Sequence, residues 1–146
     1  MVLPARGNST HHSISRECRL LPLLMMAMLF ILSSIPGTPG PDGFWLATAL
    51  EPRLQNALHL PLYATLQILW LRALIKPGRG LLFAFYLALT LTCGYGILDE
   101  LHQAFVPGRY ASVLDVLLNL LGGLLGAALY WLFSTKKRTG TYGTLI

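Results

Sequence analysis

A short stretch of ionisable and amide side chains lies between two strongly apolar segments of this chain. Its members are Asp99, Glu100, His102, Gln103, Arg109, Asp115 and Asn119. An isolated charge in hydrocarbon costs from about 2.5 to well above 10 kcal/mol, so such side chains face other protein groups or a wet cavity. The stretch is therefore the predicted functional site.

These side chains offer two kinds of chemistry. Carboxyl and imidazole groups transfer protons, and the candidate catalytic residues are His59, Asp99, Glu100, His102 and Asp115. Arginine and amide groups recognise anions and hydroxyls, and the candidate ligand-binding residues are Asp99, Glu100, Gln103, Arg109, Asp115, Asn119 and His59. No nucleophile motif such as G-x-S-x-G is present, which ranks the enzyme hypothesis below ligand binding.

The chain also lacks sequence signals for metals, cofactors and nucleic acids. There is no H-E-x-x-H motif and no cysteine–histidine spacing, so the sequence predicts neither a metal nor a cofactor. Its net charge of +5 is explained by membrane topology and by attraction to anionic lipid. The predicted partners are membrane lipids and a ligand of the cell envelope.

The segments that position the site are too apolar for a typical soluble domain, at 54% hydrophobic and 12% charged residues. A spanning helix needs about 20 apolar residues. Four runs approach this length: Leu20–Ile35, Leu54–Ile75, Gly80–Leu98 and Val113–Phe133. The first run lacks an A-x-A signal-peptide cleavage pattern, which favours a retained helix. The sequence predicts an all-α, four-helix transmembrane bundle at residues 20–133, between basic tails at 1–19 and 134–146.

The orientation of these helices follows from their connecting segments. Lysine and arginine precede the first run, surround the second loop and follow the fourth run, whereas the first and third loops are net acidic. Short segments rich in lysine and arginine stay in the cytoplasm. Both termini are therefore predicted to be cytoplasmic, with the polar site near the outer surface.

One stripe of the fourth helix is free of leucine. Asp115, Asn119, Gly122 and Gly126 are spaced by four, three and four residues and share a face, which must be turned toward protein. Gly122 and Gly126 form a G-x-x-x-G pair, whose ordinary meaning is close backbone contact with another helix. We adopt that meaning here.

The second helix carries a histidine about one turn below the outer surface. From there His59 is expected to approach the group formed by Asp99, His102 and Asp115. The alternative is a histidine whose hydrogen bonds are satisfied by a backbone carbonyl or by Tyr63. His102 likewise has an alternative role as a solvated side chain at the membrane interface.

A turn at residues 106–109 aims Arg109 back across the helix ends. Pro107 pre-sets its own backbone angle and Gly108 takes the positive one. Arg109 is then either a clamp that pairs with a buried carboxylate or a forked donor for an anionic ligand.

Together these residues resemble the VanZ-like family of bacterial membrane proteins. The family signature is an acidic pair, a nearby glutamine, a Pro-Gly-Arg turn, and then Asp and Asn ahead of a glycine-rich helix; His59 with Tyr63 resembles its second-helix His-x-x-x-Tyr. The resemblance implies a multi-pass protein of the bacterial cytoplasmic membrane, whose namesake is linked to resistance to teicoplanin. It implies no reaction. Asn56 stands where the family often has lysine.

Three functional hypotheses follow. The first is an outward pocket that binds a lipid-linked precursor or a lipoglycopeptide and alters glycopeptide susceptibility, with Arg109 on the anionic group. The second is an intramembrane acid/base enzyme that acts on an envelope lipid. The third keeps the polar residues as interhelical contacts only.

Overall fold

The computed structural model describes residues 10–37, 52–75 and 80–139, with side chains described at 20–37, 54–75 and 80–134. These ranges contain four helices and no strand, so the predicted all-α class is confirmed for them. The helices are α1 (Thr10–Ser33), α2 (Pro52–Leu74), α3 (Leu81–Gln103) and α4 (Val113–Thr139). Residues 1–9 and 140–146 of the predicted tails, the acidic first loop at 38–51 and the turn at 76–79 lie outside the described residues.

The helices differ in length from the apolar runs. α1 begins at Thr10 rather than Leu20, and α3 continues past Leu98 to Gln103. Both helices continue into polar residues because the backbone hydrogen bonds of a helix form with polar as well as with apolar side chains. Asp99, Glu100 and Gln103 therefore lie on the last turns of a helix.

The connection between α3 and α4 combines a tight turn with a helix cap. Gly108 has a φ of 72°, the left-handed conformation that the sequence predicts for it and that glycine adopts most readily. α4 then starts after Ser112, whose Oγ accepts a hydrogen bond from the backbone N–H of Asp115 at 3.4 Å. Asp115 lies in the first turn of α4, where a carboxylate is favoured by the helix dipole.

α4 packs directly on the backbone of α2. A Cβ atom added at Gly122 would lie 2.6 Å from the Leu60 carbonyl oxygen, and one at Gly126 would overlap the backbone of Ala64. The close backbone contact predicted from the G-x-x-x-G pair is therefore present, with α2 as the partner.

The outside of the described bundle is apolar. α3 over Leu81–Gln103 and α4 over Val113–Ser134 are long and apolar enough to span a membrane, whereas the apolar part of α1, Leu20–Ser33, is shorter. Large apolar side chains point outward, including Leu82 and Phe133. A contiguous apolar exterior of this kind is typical of a surface that lipid or another protein covers.

Replacing Gly126 by alanine should destabilise the protein by about 1–3 kcal/mol, because the new methyl group would push α4 away from the Ala64 backbone. Gly94→Ala is the matched control, since a Cβ there meets nothing within 4 Å. It should be neutral or stabilising by up to about 1 kcal/mol. Unfolding titrations of the purified variants in detergent measure the difference, and equal stabilities would contradict the contact.

Candidate functional site

The last turns of α3 and the first turns of α4 bury their polar side chains together. Glu100 is 3% exposed, Asn119 1%, and Asp99, Gln103 and Asp115 are buried as well. Polar groups are rarely buried at this density unless they serve one another or a ligand. Five of the residues predicted from the sequence are thus collected inside the bundle.

His59 of α2 joins this group from the opposite side. Its Nδ1 lies 2.8 Å from Asn119 Oδ1 and 3.8 Å from Glu100 Oε1. Glu100 Oε2 accepts a hydrogen bond from the Ser112 backbone N–H at 3.1 Å. One ligand atom from each of His59, Glu100 and Asp115 falls within 4.8 Å of the others. The spacing correctly predicts the approach of His59 to Asp115, whereas its contacts with Glu100 and Asn119 were not part of that prediction.

Asp99 has separate partners within the same region. Its Oδ2 accepts hydrogen bonds from Tyr63 Oη and from Gln103 Nε2, both at 3.3 Å. The ring of Tyr63 lies parallel to that of His59, with centroids 6.1 Å apart. Tyr63 therefore connects α2 to Asp99 of α3. The sequence suggests only its contact with His59.

Arg109 bonds to neutral acceptors. Its Nε donates to the Ile35 carbonyl oxygen at 3.1 Å, and its Nη1 donates to Gln55 Oε1 at 2.9 Å. Among the described residues no ion pair joins Arg109 to a carboxylate, so the carboxylate clamp is not the arrangement found there. Arg109 instead links the end of α1 to the start of α2, and it also lines the cavity described below.

His102 points away from the other catalytic candidates. Its Nε2 lies 3.0 Å from Ser34 Oγ, and its ring is 4.5 Å from that of Phe30. Two residues along a helix correspond to about 200° of rotation, so His102 and Glu100 face nearly opposite sides of α3. The structure thus places His102 against α1.

Several buried polar atoms in the site have no hydrogen-bond partner. They are Asp99 Oδ1, Glu100 Oε1, Asp115 Oδ1 and Asn119 Nδ2. Leaving such a group unpaired costs about 1–3 kcal/mol, and more for a charged group. Such unpaired buried groups are commonly explained by backbone strain, a catalytic role, or an ordered water or ion at the site.

A cavity of about 170 Å³ opens beside these residues, between α1, α2 and α3. One wall is apolar, formed by Leu29, Leu32, Leu58 and Leu62. The lining also includes the polar residues His59, Asp99, Gln103 and Arg109, which we call its polar end. The cavity therefore suits a molecule with one polar and one apolar part.

Three partners of the site are absent from the candidates drawn from the sequence. Ser112 donates to Glu100 through its backbone, Gln55 accepts from Arg109, and Ser34 contacts His102. Ser112 carried a usable signal, because a serine three residues before an acidic residue at a helix start is typical of an N-cap. Gln55 and Ser34 are distant in sequence from their partners and gave none.

The chain belongs to the VanZ-like family: a family model described as VanZ/LLP1 matches residues 6–134. The resemblance carried by the acidic pair, the Pro-Gly-Arg turn and the following Asp and Asn is thereby confirmed. No curated protein sequence and no solved structure matches the chain. Family membership and the two apolar helices together indicate a membrane protein.

Tyr63→Phe should lower the free energy of unfolding by about 1.5–3 kcal/mol, because it removes a hydrogen bond to a buried carboxylate. Tyr86→Phe is the matched control: Tyr86 lies on the outside of α3, and its change should stay within about 0.5 kcal/mol. Thermal unfolding in detergent compares the two. If both variants behave alike, Asp99 does not depend on the tyrosine.

Proposed function

We propose that this protein is a four-span protein of the bacterial cytoplasmic membrane that binds the anionic head of an amphiphilic envelope ligand. The observation that carries the proposal is the cavity with its leucine wall and its polar end at Asp99, Gln103 and Arg109. Arginine recognises phosphate and carboxylate groups through paired hydrogen bonds. Lipid-linked cell-wall precursors and lipoglycopeptides have such a head joined to a long apolar chain, which is a polyprenyl chain in the former and an acyl chain in the latter.

The size of the cavity limits how much of an amphiphilic ligand it can enclose. Pockets for drug-sized molecules measure about 300–1,000 Å³. At about 170 Å³ this cavity holds a head group or a part of one, while the chain would lie along the exposed leucines of α1. A ligand entering from the membrane would therefore be only partly enclosed.

The proposal includes four spans with both termini in the cytoplasm. α1 and α2 flank the cavity together with α3, and basic and acidic connecting segments alternate along the sequence. In that topology the ends of α1 and α3 and the start of α2 lie at the outer surface. The polar end of the cavity then faces the cell envelope.

Reporter fusions test the topology. A reporter that works only in the cytoplasm should be active when joined after Lys136 and inactive when joined at Pro107 in the third loop. The charge bias of the connecting segments is the physical reason. An externally active reporter at Lys136 would overturn the proposed orientation.

Arg109→Ala should weaken binding of an anionic amphiphile by about 10- to 100-fold, since hydrogen bonds to a charged group are worth about 1.5–3 kcal/mol. The probes are undecaprenyl pyrophosphate and teicoplanin, titrated against purified protein in nanodiscs. Arg109→Lys should recover only part of the affinity, because lysine lacks the planar fork. Arg72→Ala, an exposed arginine in the last turn of α2, should bind as the unchanged protein does.

Two outcomes would contradict ligand binding. If the unchanged protein binds neither probe, or if Arg109→Ala binds as tightly as Arg72→Ala, Arg109 serves only to join α1 to α2. Size-exclusion profiles of each variant separate lost affinity from lost folding. A purely structural role for the polar cluster would then be the better account.

A second candidate function is acid/base catalysis on an envelope lipid. The observation that favours it is the position of His59, which lines the cavity and lies 3.8 Å from Glu100 Oε1. A histidine beside a carboxylate is a common proton-transfer pair. Mass spectrometry of the undecaprenyl pyrophosphate mixture distinguishes the two functions, because an enzyme would produce a new species and a binding protein would not.

A further inference from the structure

We propose that His59, Glu100 and Asp115 bind one divalent transition-metal ion, with Asn119 supplying a neighbouring oxygen. The site lies between α2, α3 and α4, and it goes beyond the binding of an amphiphile. It rests on contacts within the described part of the bundle and does not depend on what occupies the cavity.

The geometry of the donor atoms fits one ion. Two ligands that are each about 2.1 Å from an ion are separated by at most about 4.2 Å. His59 Nδ1 lies 3.8 Å from Glu100 Oε1 and 2.8 Å from Asn119 Oδ1, and the set formed with Asp115 lies within 4.8 Å. Side-chain movements of about half an ångström would bring the most distant donor pair within this limit.

The charge of the site also calls for a cation. Glu100 is 3% exposed and Asp115 5%, and each has a carboxylate oxygen without a hydrogen-bond partner. Buried carboxylates are stable when a cation or a proton compensates them. Arg109 does not provide this compensation, because its described bonds go to Ile35 and Gln55. A divalent ion would neutralise both carboxylates at once.

A proton on His59 explains the cluster less completely. A hydrogen on Nδ1 would be donated to Asn119 Oδ1, which lies 2.8 Å away. Glu100 Oε1, at 3.8 Å, is too distant for a hydrogen bond. Asp115 Oδ1 would still be unpaired. With an ion bound, the imidazole would carry its proton on Nε2, and Nδ1 and Asn119 Oδ1 would both face the metal.

The donor set selects the kind of ion. One imidazole nitrogen with carboxylate and amide oxygens suits zinc or manganese, whereas magnesium and calcium favour oxygen alone. The sequence predicts no metal because the ligands come from three helices and form no short motif. Their meeting point is created by packing. His59 also lines the cavity, so the ion would lie beside its polar end.

Metal analysis of the purified protein tests the proposal. Protein stripped with EDTA is dialysed against Zn²⁺ or Mn²⁺, and bound metal is measured by inductively coupled plasma mass spectrometry. We expect one ion per chain, with Zn²⁺ bound more tightly than Mn²⁺ in accordance with the general order of stability of divalent complexes. Asp115→Asn and Glu100→Gln should each lower the affinity at least tenfold.

Asp99→Asn is the matched control, because Asp99 is a buried carboxylate adjacent to Glu100 that lies outside the three-residue group. It should still bind one ion. Co²⁺ provides a second readout that does not depend on stable variants, since imidazole–carboxylate coordination gives a visible absorption band. The proposal is overturned if the unchanged protein binds no stoichiometric ion, or if Asp115→Asn and Asp99→Asn bind it equally.

Discussion

The close approach of α4 to α2 is the constraint on which the rest of the structure depends. Gly122 and Gly126 let the two backbones meet at Leu60 and Ala64, and no larger side chain fits there. His59 lies one residue before Leu60, so this contact is what places its ring against Asn119. The polar cluster therefore depends on the two glycines of α4 that let α2 approach.

The polar cluster gives the two adjacent carboxylates of α3 hydrogen-bond partners inside an otherwise apolar bundle. Asp99 and Glu100 are neighbours with different surroundings. Tyr63 and Gln103 donate to one oxygen of Asp99, whereas the Ser112 backbone donates to one oxygen of Glu100. Asp99 sits at the end of the cavity, whereas Glu100 faces the interface with α2 and α4. The rotation of the helix thus turns adjacent carboxylates of α3 toward different neighbours.

The sequence predicts much of this fold and part of the site, for identifiable reasons. Helical periodicity correctly places Asp115, Asn119 and the two glycines on one face, and His59 within reach of them, because that information is local to each helix. The acceptors of Arg109 are not predictable in the same way. Ile35 and Gln55 lie far from it in sequence, and only the packing of α1 and α2 brings them to the Pro-Gly-Arg turn.

That turn has a second consequence for the cavity. The Gly37 backbone N–H donates to the Pro107 carbonyl oxygen at 3.0 Å, and Gly37 contacts Gly108 so closely that a side chain would overlap its backbone. The segment after α1 is therefore held against the turn by backbone contact as well as by Arg109. Since Ile35 and Arg109 both line the cavity, an anionic ligand that draws the guanidinium away from Ile35 would loosen one attachment and leave the other. The backbone contact between Gly37 and the turn would then still hold the end of α1 in place.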